Sequence, residues 1–240
     1  MKPIFKNTPL LLLSSLLFVS ISVKGQSENE FSGAWQSQDG DKKTVLLIQD
    51  HYFTQSIFKA DEYIMSYGGP FSIENKRFQI KVEFNSDDSV KVGETATADF
   101  LLKNNKLQIT LNSKSATYER MDNGKAPLAG VWHITDRMQE GKLVPIQRSG
   151  TRKTLKVLTA SRFQWFAIDP GTKQFFGTGG GTYSFVDGTY TEHIEFFSRD
   201  NSRVGANLSF DGKLTDGKWH HSGLSSKGDK IYEIWGKVDK

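Results

Sequence analysis

The sequence predicts an all-β protein made of two tandem antiparallel up-and-down barrels, and three observations carry that expectation. The chain repeats itself, its apolar residues fall in short runs bounded by turn residues, and no segment beyond the N-terminus shows helical periodicity. Residues 66–107 laid over residues 178–219 at a constant offset of 112 give twelve identities in 42 positions, including Gly68/Gly180, Gly69/Gly181, Glu83/Glu195 and Phe84/Phe196. Ordinary residue usage gives roughly two or three by chance. Beyond that block the offset shifts: Gly33-Ala-Trp35 answers Gly130-Val-Trp132, Lys43-Thr44 answers Lys153-Thr154, and Tyr118-Glu119 answers Tyr232-Glu233. A repeat of this length points to two homologous units.

At the N-terminus two lysines precede an apolar run from Leu10 to Val23, broken by serines and followed by Gly25. This is the pattern of a cleaved signal peptide, with the cut expected near Gly25–Gln26, and the run is shorter than the ~20 residues that a spanning helix needs. The expected location is therefore secreted or periplasmic, with no membrane span in the mature chain. The chain has no cysteine, so disulfides, thiolate metal sites and a lipidated-cysteine anchor are excluded. Removing Lys2, Lys6 and Lys24 with the leader leaves 28 basic against 27 acidic residues. A net charge of +1 gives nucleic-acid binding no electrostatic support.

The mature chain divides into a first repeat at 26–122 and a second at 127–240, joined by the polar Asp122-Asn-Gly-Lys-Ala-Pro127. In the first, runs rich in Val, Ile, Thr, Phe and Tyr predict strands over 43–49, 52–58, 71–74, 77–85, 95–102, 106–111 and 115–121. In the second, Asp169-Pro-Gly-Thr172, Asp187-Gly188 and Asp216-Gly217 signal tight hairpins, and a longer loop is expected at about 141–152. About eight strands per unit, with no helix to cover a sheet face, favour closure into a barrel over an open sheet. A two-sheet sandwich is the alternative.

The Gly-x-Trp that opens each unit, followed by a β-meander, resembles the calycin superfamily and its lipocalin members. That resemblance implies a barrel with a late basic residue over the indole, a role open to Arg120 in the first unit and Lys237 in the second. The second unit, from Gly130-Val-Trp132 through "GTGGGTY", "YTEHIEF", "KWHHSG" and "IYEIWGKV", also resembles secreted lipocalin-like domains of uncharacterised function from Bacteroidota. Neither resemblance supplies an activity.

Candidate chemistry emerges from comparing the repeats. The glycines at 177–181 lie between strand-forming residues with no helix after them, so a barrel bend is favoured over a phosphate cradle. Alternate strand residues share a face. In the first unit Phe78, Ile80, Val82 and Phe84 form an apolar face, which in the second becomes Tyr190, Glu192, Ile194 and Phe196. His193 and Glu195 then fall outside, as solvated residues. The same comparison puts His221 where the first unit has Ile109, and turns His220 outward. Two ionisable groups thus replace interior isoleucines, and each needs a partner, water or a cavity.

The expected ligand-binding set is Glu192, His221, Tyr190, Trp219, Trp165 and Phe163, around a small, partly apolar ligand of unknown identity. Alternatives are a barrel hydrolase, isomerase or cyclase with Glu192 and His221 as an acid–base pair, or a protein- or glycan-binding module. No catalytic residue, cofactor or metal is assigned. The five histidines show no ligand spacing, and neither a His-Glu-x-x-His nor a Gly-x-Ser-x-Gly motif occurs.

Overall fold

A computed structural model describes residues 28–60, 62–147, 150–225 and 228–238. The expected signal peptide lies outside them. The described chain is all-β and closes into two eight-stranded antiparallel barrels in tandem, with three single-turn 3₁₀ helices.

The first barrel comprises β1 (Gly33–Asp39), β2 (Lys42–Gln49), β3 (Tyr52–Phe58), β4 (Tyr63–Glu74), β5 (Arg77–Lys81), β6 (Phe84–Asn85), β7 (Thr95–Lys103), β8 (Lys106–Leu111) and β9 (Lys114–Arg120). The pairs β3–β4 and β1–β9 complete the ring, with β5 and β6 as two pieces of one interrupted strand. The second comprises β10 (Gly130–Gln139), β11 (Lys142–Pro145), β12 (Lys153–Leu158), β13 (Arg162–Asp169), β14 (Gln174–Val186), β15 (Thr189–Phe197), β16 (Asn207–Thr215), β17 (Lys218–Leu224) and β18 (Lys230–Lys237). It closes through β10–β18, and β11 pairs only with the extended end of β10. Two-residue hairpins such as Asn104-Asn105 and Asp216-Gly217 hold both residues at positive φ. These are the turns whose twist matches a strand pair, and Asn, Asp and Gly tolerate them best.

Each barrel is plugged at one end by its Gly-x-Trp tryptophan. Trp35 Nε1 donates to Phe31 O and Trp132 Nε1 to Leu128 O, both at 2.8 Å. The Arg120 guanidinium lies 3.9 Å from the Trp35 ring centre and donates to Ser32 O and Glu30 O. Lys237 Nζ lies 5.3 Å from the Trp132 ring centre and donates to Ala129 O at 3.1 Å. Tandem eight-stranded barrels with such plugs fit a lipocalin-like fold.

The paired glycines pinch neighbouring strands together. A Cβ on Gly69 would sit 1.9 Å from Lys81 O, and one on Gly181 2.0 Å from His193 O. Beside Gly181 the ladder slips: Gly180 faces Phe196 while Gly181 faces Ile194, leaving Glu195 as the extra residue of a bulge. The bulge reverses the face of the residues beyond it. Phe84 and Phe196 therefore do not continue the interior rows but point outward, against the other barrel.

That outer contact is a second core. Ala34, Val45, Leu47, Tyr52, Phe58 and Phe84 meet Val131, Leu155, Val157, Phe166, Ile168 and Phe196. The contact is reciprocal. Phe84 approaches Phe175 at 6.2 Å while its counterpart Phe196 approaches Tyr63, the counterpart of Phe175, at 6.1 Å. Lys153 pairs with Glu83 at 2.7 Å and the equivalent Lys43 with Glu195 at 3.6 Å. Glu195 also binds Arg162 and Glu83 accepts from Tyr52, so Glu195 is an inter-barrel anchor rather than a solvated residue. The joint between the barrels is stitched as well. Asp122 accepts from Ala34 N, Ser161 N, Ser161 Oγ and Thr159 Oγ1.

Candidate functional site

The two barrels share a frame but not an interior. The first is filled by apolar side chains, among them Phe31, Trp35, Leu46, Phe53, Phe78, Ile80 and Leu107. In the second, pairing register identifies four equivalent positions that carry ionisable groups. Trp35 faces Leu46 on β2, and Trp132 faces Lys156 on β12. Phe71 faces Ile80, and Tyr183 faces Glu192 on β15. Ile109 faces Ala116, and His221 on β17 faces Glu233 on β18. Leucine, isoleucine, isoleucine and alanine have thus become lysine, glutamate, histidine and glutamate.

All four are buried, with Glu192 4 % and His221 3 % exposed. Lys156 Nζ donates to Glu192 Oε1 at 2.7 Å, and Tyr190 OH donates to the same oxygen at 2.9 Å. Burial and the adjacent Glu192 charge hold the Tyr190 phenol well above its ordinary pKa, so it stays a donor. The ammonium sits within a ring of aromatic faces, 5.1 Å from Tyr190, 5.4 Å from Trp219, 5.3 Å from Trp235 and 5.8 Å from Phe163. The rings turn a buried charge from a pure cost into a partly compensated one. Glu233 receives Arg137 Nε at 3.2 Å and Nη2 at 2.9 Å, and its other oxygen lies 4.0 Å from His221 Nδ1.

His221 itself is unbonded. Among the described residues neither ring nitrogen has a hydrogen-bond partner, and the same is true of Trp219 Nε1 and Trp235 Nε1. Burial, and then the neighbouring Lys156 charge, push its pKa down to about 2. The imidazole is neutral, with one N–H and one bare nitrogen. The three rings that carry these orphan atoms adjoin one another, with centroids 5.0 Å apart for Trp219 and His221, 5.8 Å for Trp219 and Trp235, and 6.4 Å for His221 and Trp235.

Of the residues expected from sequence, Glu192, His221, Tyr190, Trp219 and Phe163 lie in this cluster. Trp165 is partly buried and packs edge-on against Phe197 at 5.4 Å. Glu192 and His221 are not hydrogen-bonded to each other. His193 is exposed and bonds Asn207, while His220 faces outward to Tyr232 OH at 2.8 Å. Sequence comparison missed Lys156, Glu233, Trp235 and Arg137. Lys156 was within reach, because the Lys43/Lys153 match already places it over Leu46. Glu233 was hidden by the Tyr118-Glu119/Tyr232-Glu233 match, which misplaces β18 by three residues: register sets Tyr118 against Leu107 but Trp235 against Trp219.

Two clefts open toward the end opposite the Trp132 plug. One of about 590 Å³ lies mainly along the outer face of β16–β18, against Asp211, Ser222, Leu224, Lys230 and Tyr232, and meets the inward-facing pair Gly223 and Ile231 at the rim. Another of about 280 Å³ includes Ile134, Thr154, Arg137 and Arg152, and neither cleft is lined by Trp219, His221 or Trp235. Among the described residues no group of three or more His, Asp or Glu is placed to hold a metal, and no helix is long and apolar enough to cross a membrane.

No curated protein matches this chain. Residues 127–240, the second barrel, are similar to the family described as domain of unknown function DUF4488.

Proposed function

We propose that this is an exported, secreted or periplasmic, small-molecule-binding protein whose second barrel takes a small, partly apolar ligand. The barrel fold is compatible with such a role, since closed barrels commonly enclose ligands at their mouths. The observation that supports it most is the set of orphan polar atoms on Trp219, His221 and Trp235, deep in the second barrel. An unmade buried hydrogen bond costs about 1–3 kcal/mol. Four together, beside the buried charges of Lys156, Glu192 and Glu233 that the sister barrel lacks, are an expensive interior unless something else completes it. Tyr190, Phe163 and Trp165 supply apolar contact area, while Glu192 fixes the Lys156 ammonium and Tyr190.

The acid–base enzyme reading draws less support. Glu192 is engaged by Lys156 and Tyr190, and an imidazole with its pKa near 2 is too weak a base for proton abstraction near neutral pH. Native mass spectrometry on protein purified from its own host tests the proposal. The expected spectrum carries an added small-molecule mass that is lost on denaturation; a bare mature chain would contradict it.

A further inference from the structure

The wall of the second barrel forks where that of the first is continuous. β1 and β2 pair without interruption from Gly33/Ile48 to Asp39/Lys42. Their counterparts β10 and β12 pair only from Gly130/Leu158 to His133/Leu155, and from Asp136 onward β10 pairs with β11 instead. The cleft of about 280 Å³ lies in this fork, against Ile134, Ile146, Arg137, Arg152 and Lys153. Its volume is close to the ~300 Å³ at which ordinary ligand clefts begin. Ile134 faces Trp235 and packs on the interior cluster, so the fork reaches the core of the barrel from the side.

Three cations and no carboxylate line the cleft. Two are already matched: Glu233 holds Arg137 at 2.9 Å and Glu83 holds Lys153 at 2.7 Å. Arg152 is exposed, and its guanidinium rests 4.3 Å from the Phe176 ring centre. Among the described residues it has neither a carboxylate nor a hydrogen-bond partner. An arginine held on an aromatic face keeps its fork of N–H donors for a planar acceptor with two oxygens.

We infer that the fork between β10, β11 and β12 binds a small organic monocarboxylate, with its carboxylate on Arg152 and its short apolar tail against Ile134 and Ile146. The single uncompensated cation sets the charge of the ligand. A phosphate monoester, with about two charges near neutral pH, would leave one unmatched. The inference deepens the reading of the second barrel as a ligand site, and rests on it.

The test uses the full chain and four probes of equal tail length: hexanoate, hexanamide, hexylammonium and hexyl phosphate. Isothermal titration calorimetry gives the affinities, and the methyl shifts of Ile134 and Ile146 locate the tail. Hexanoate should bind at least tenfold more tightly than hexanamide or hexylammonium, about 1.4 kcal/mol in binding free energy, and more tightly than hexyl phosphate. Arg152→Gln should bring hexanoate down to the level of hexanamide, and Arg152→Lys, which keeps the charge but not the fork, should fall between; thermal melts check that both variants fold. Equal or tighter binding of any other probe, or a hexanoate affinity unchanged in Arg152→Gln, overturns the inference and leaves a ligand site standing. If none of the four binds, the inference falls. An added mass on protein purified from its own host would then keep a ligand site, and a bare mass would remove both.

Discussion

At the scale of single residues, the second barrel differs from the first by a few substitutions whose costs are coupled. Glu192 and His221 were legible because each stands where a repeat partner has isoleucine, and buried ionisable groups are conspicuous. What the sequence could not give was the pairing. Glu192 answers to Lys156 across 2.7 Å, not to His221. Glu192→Ile therefore does more than restore the sister residue, since it leaves the Lys156 ammonium buried with only aromatic faces for company. That single change should destabilise the chain by about 3–5 kcal/mol. Adding Lys156→Leu should return stability to the wild-type level or above, because an apolar pair then replaces a desolvated ion pair. Chemical denaturation of both variants checks this coupling.

His221 gives a pH signature at the same scale. Its folded pKa is lowered to about 2 by burial and Lys156, while in the unfolded chain it lies near 6.5. Between those values only the unfolded state takes up the proton. Stability is therefore full above the unfolded value and declines as pH falls below it, by about 1.4 kcal/mol per pH unit. His221→Phe should flatten the urea-midpoint profile between roughly pH 6 and pH 4, where the wild type slopes.

At the scale of elements, strand positions were largely readable from runs of β-branched and aromatic residues between turn residues, and the described barrels follow them. The failure lay where periodicity breaks. Alternation carries a face assignment only until the next bulge, and the bulge at Glu195 turns Phe196 from the expected interior to the inter-barrel core. The local signal for it was the Gly-Gly of the facing strand, present in both repeats. Those glycines are close-approach positions. Gly181→Ala would drive a methyl to 2.0 Å from His193 O, a backbone atom that cannot step aside cheaply. The substitution should cost about 2–3 kcal/mol in thermal or denaturant melts. A neutral outcome would show that the bulge can relax.

At the scale of the whole molecule, the duplication has been used asymmetrically. The outer faces of the two barrels remain equivalent enough to bury reciprocal aromatic contacts and reciprocal Lys–Glu pairs, so the chain behaves as a tethered pseudo-dimer. The interiors have diverged, one apolar and filled, the other charged and carrying orphan polar atoms. The repeat was visible in sequence, yet the contact between its copies was not, because Glu83, Glu195, Lys43 and Lys153 resemble ordinary surface residues until the fold brings them together. The polar Asp122-Asn-Gly-Lys-Ala-Pro127 reads in sequence as the linker between the repeats, and its Asp122 carboxylate fastens β1 to the β12–β13 turn.

If the second barrel takes a ligand as proposed, its four ionisable positions serve that site rather than the stability of the fold. Reverting all four positions to their first-barrel counterparts, Lys156→Leu, Glu192→Ile, His221→Ile and Glu233→Ala, separates the two roles. Native mass spectra of the reverted and wild-type chains, prepared side by side from the same host, read the difference directly. A folded reverted chain without the added mass that the wild type carries is the expected result. The same added mass on both chains, or on neither, would contradict the account.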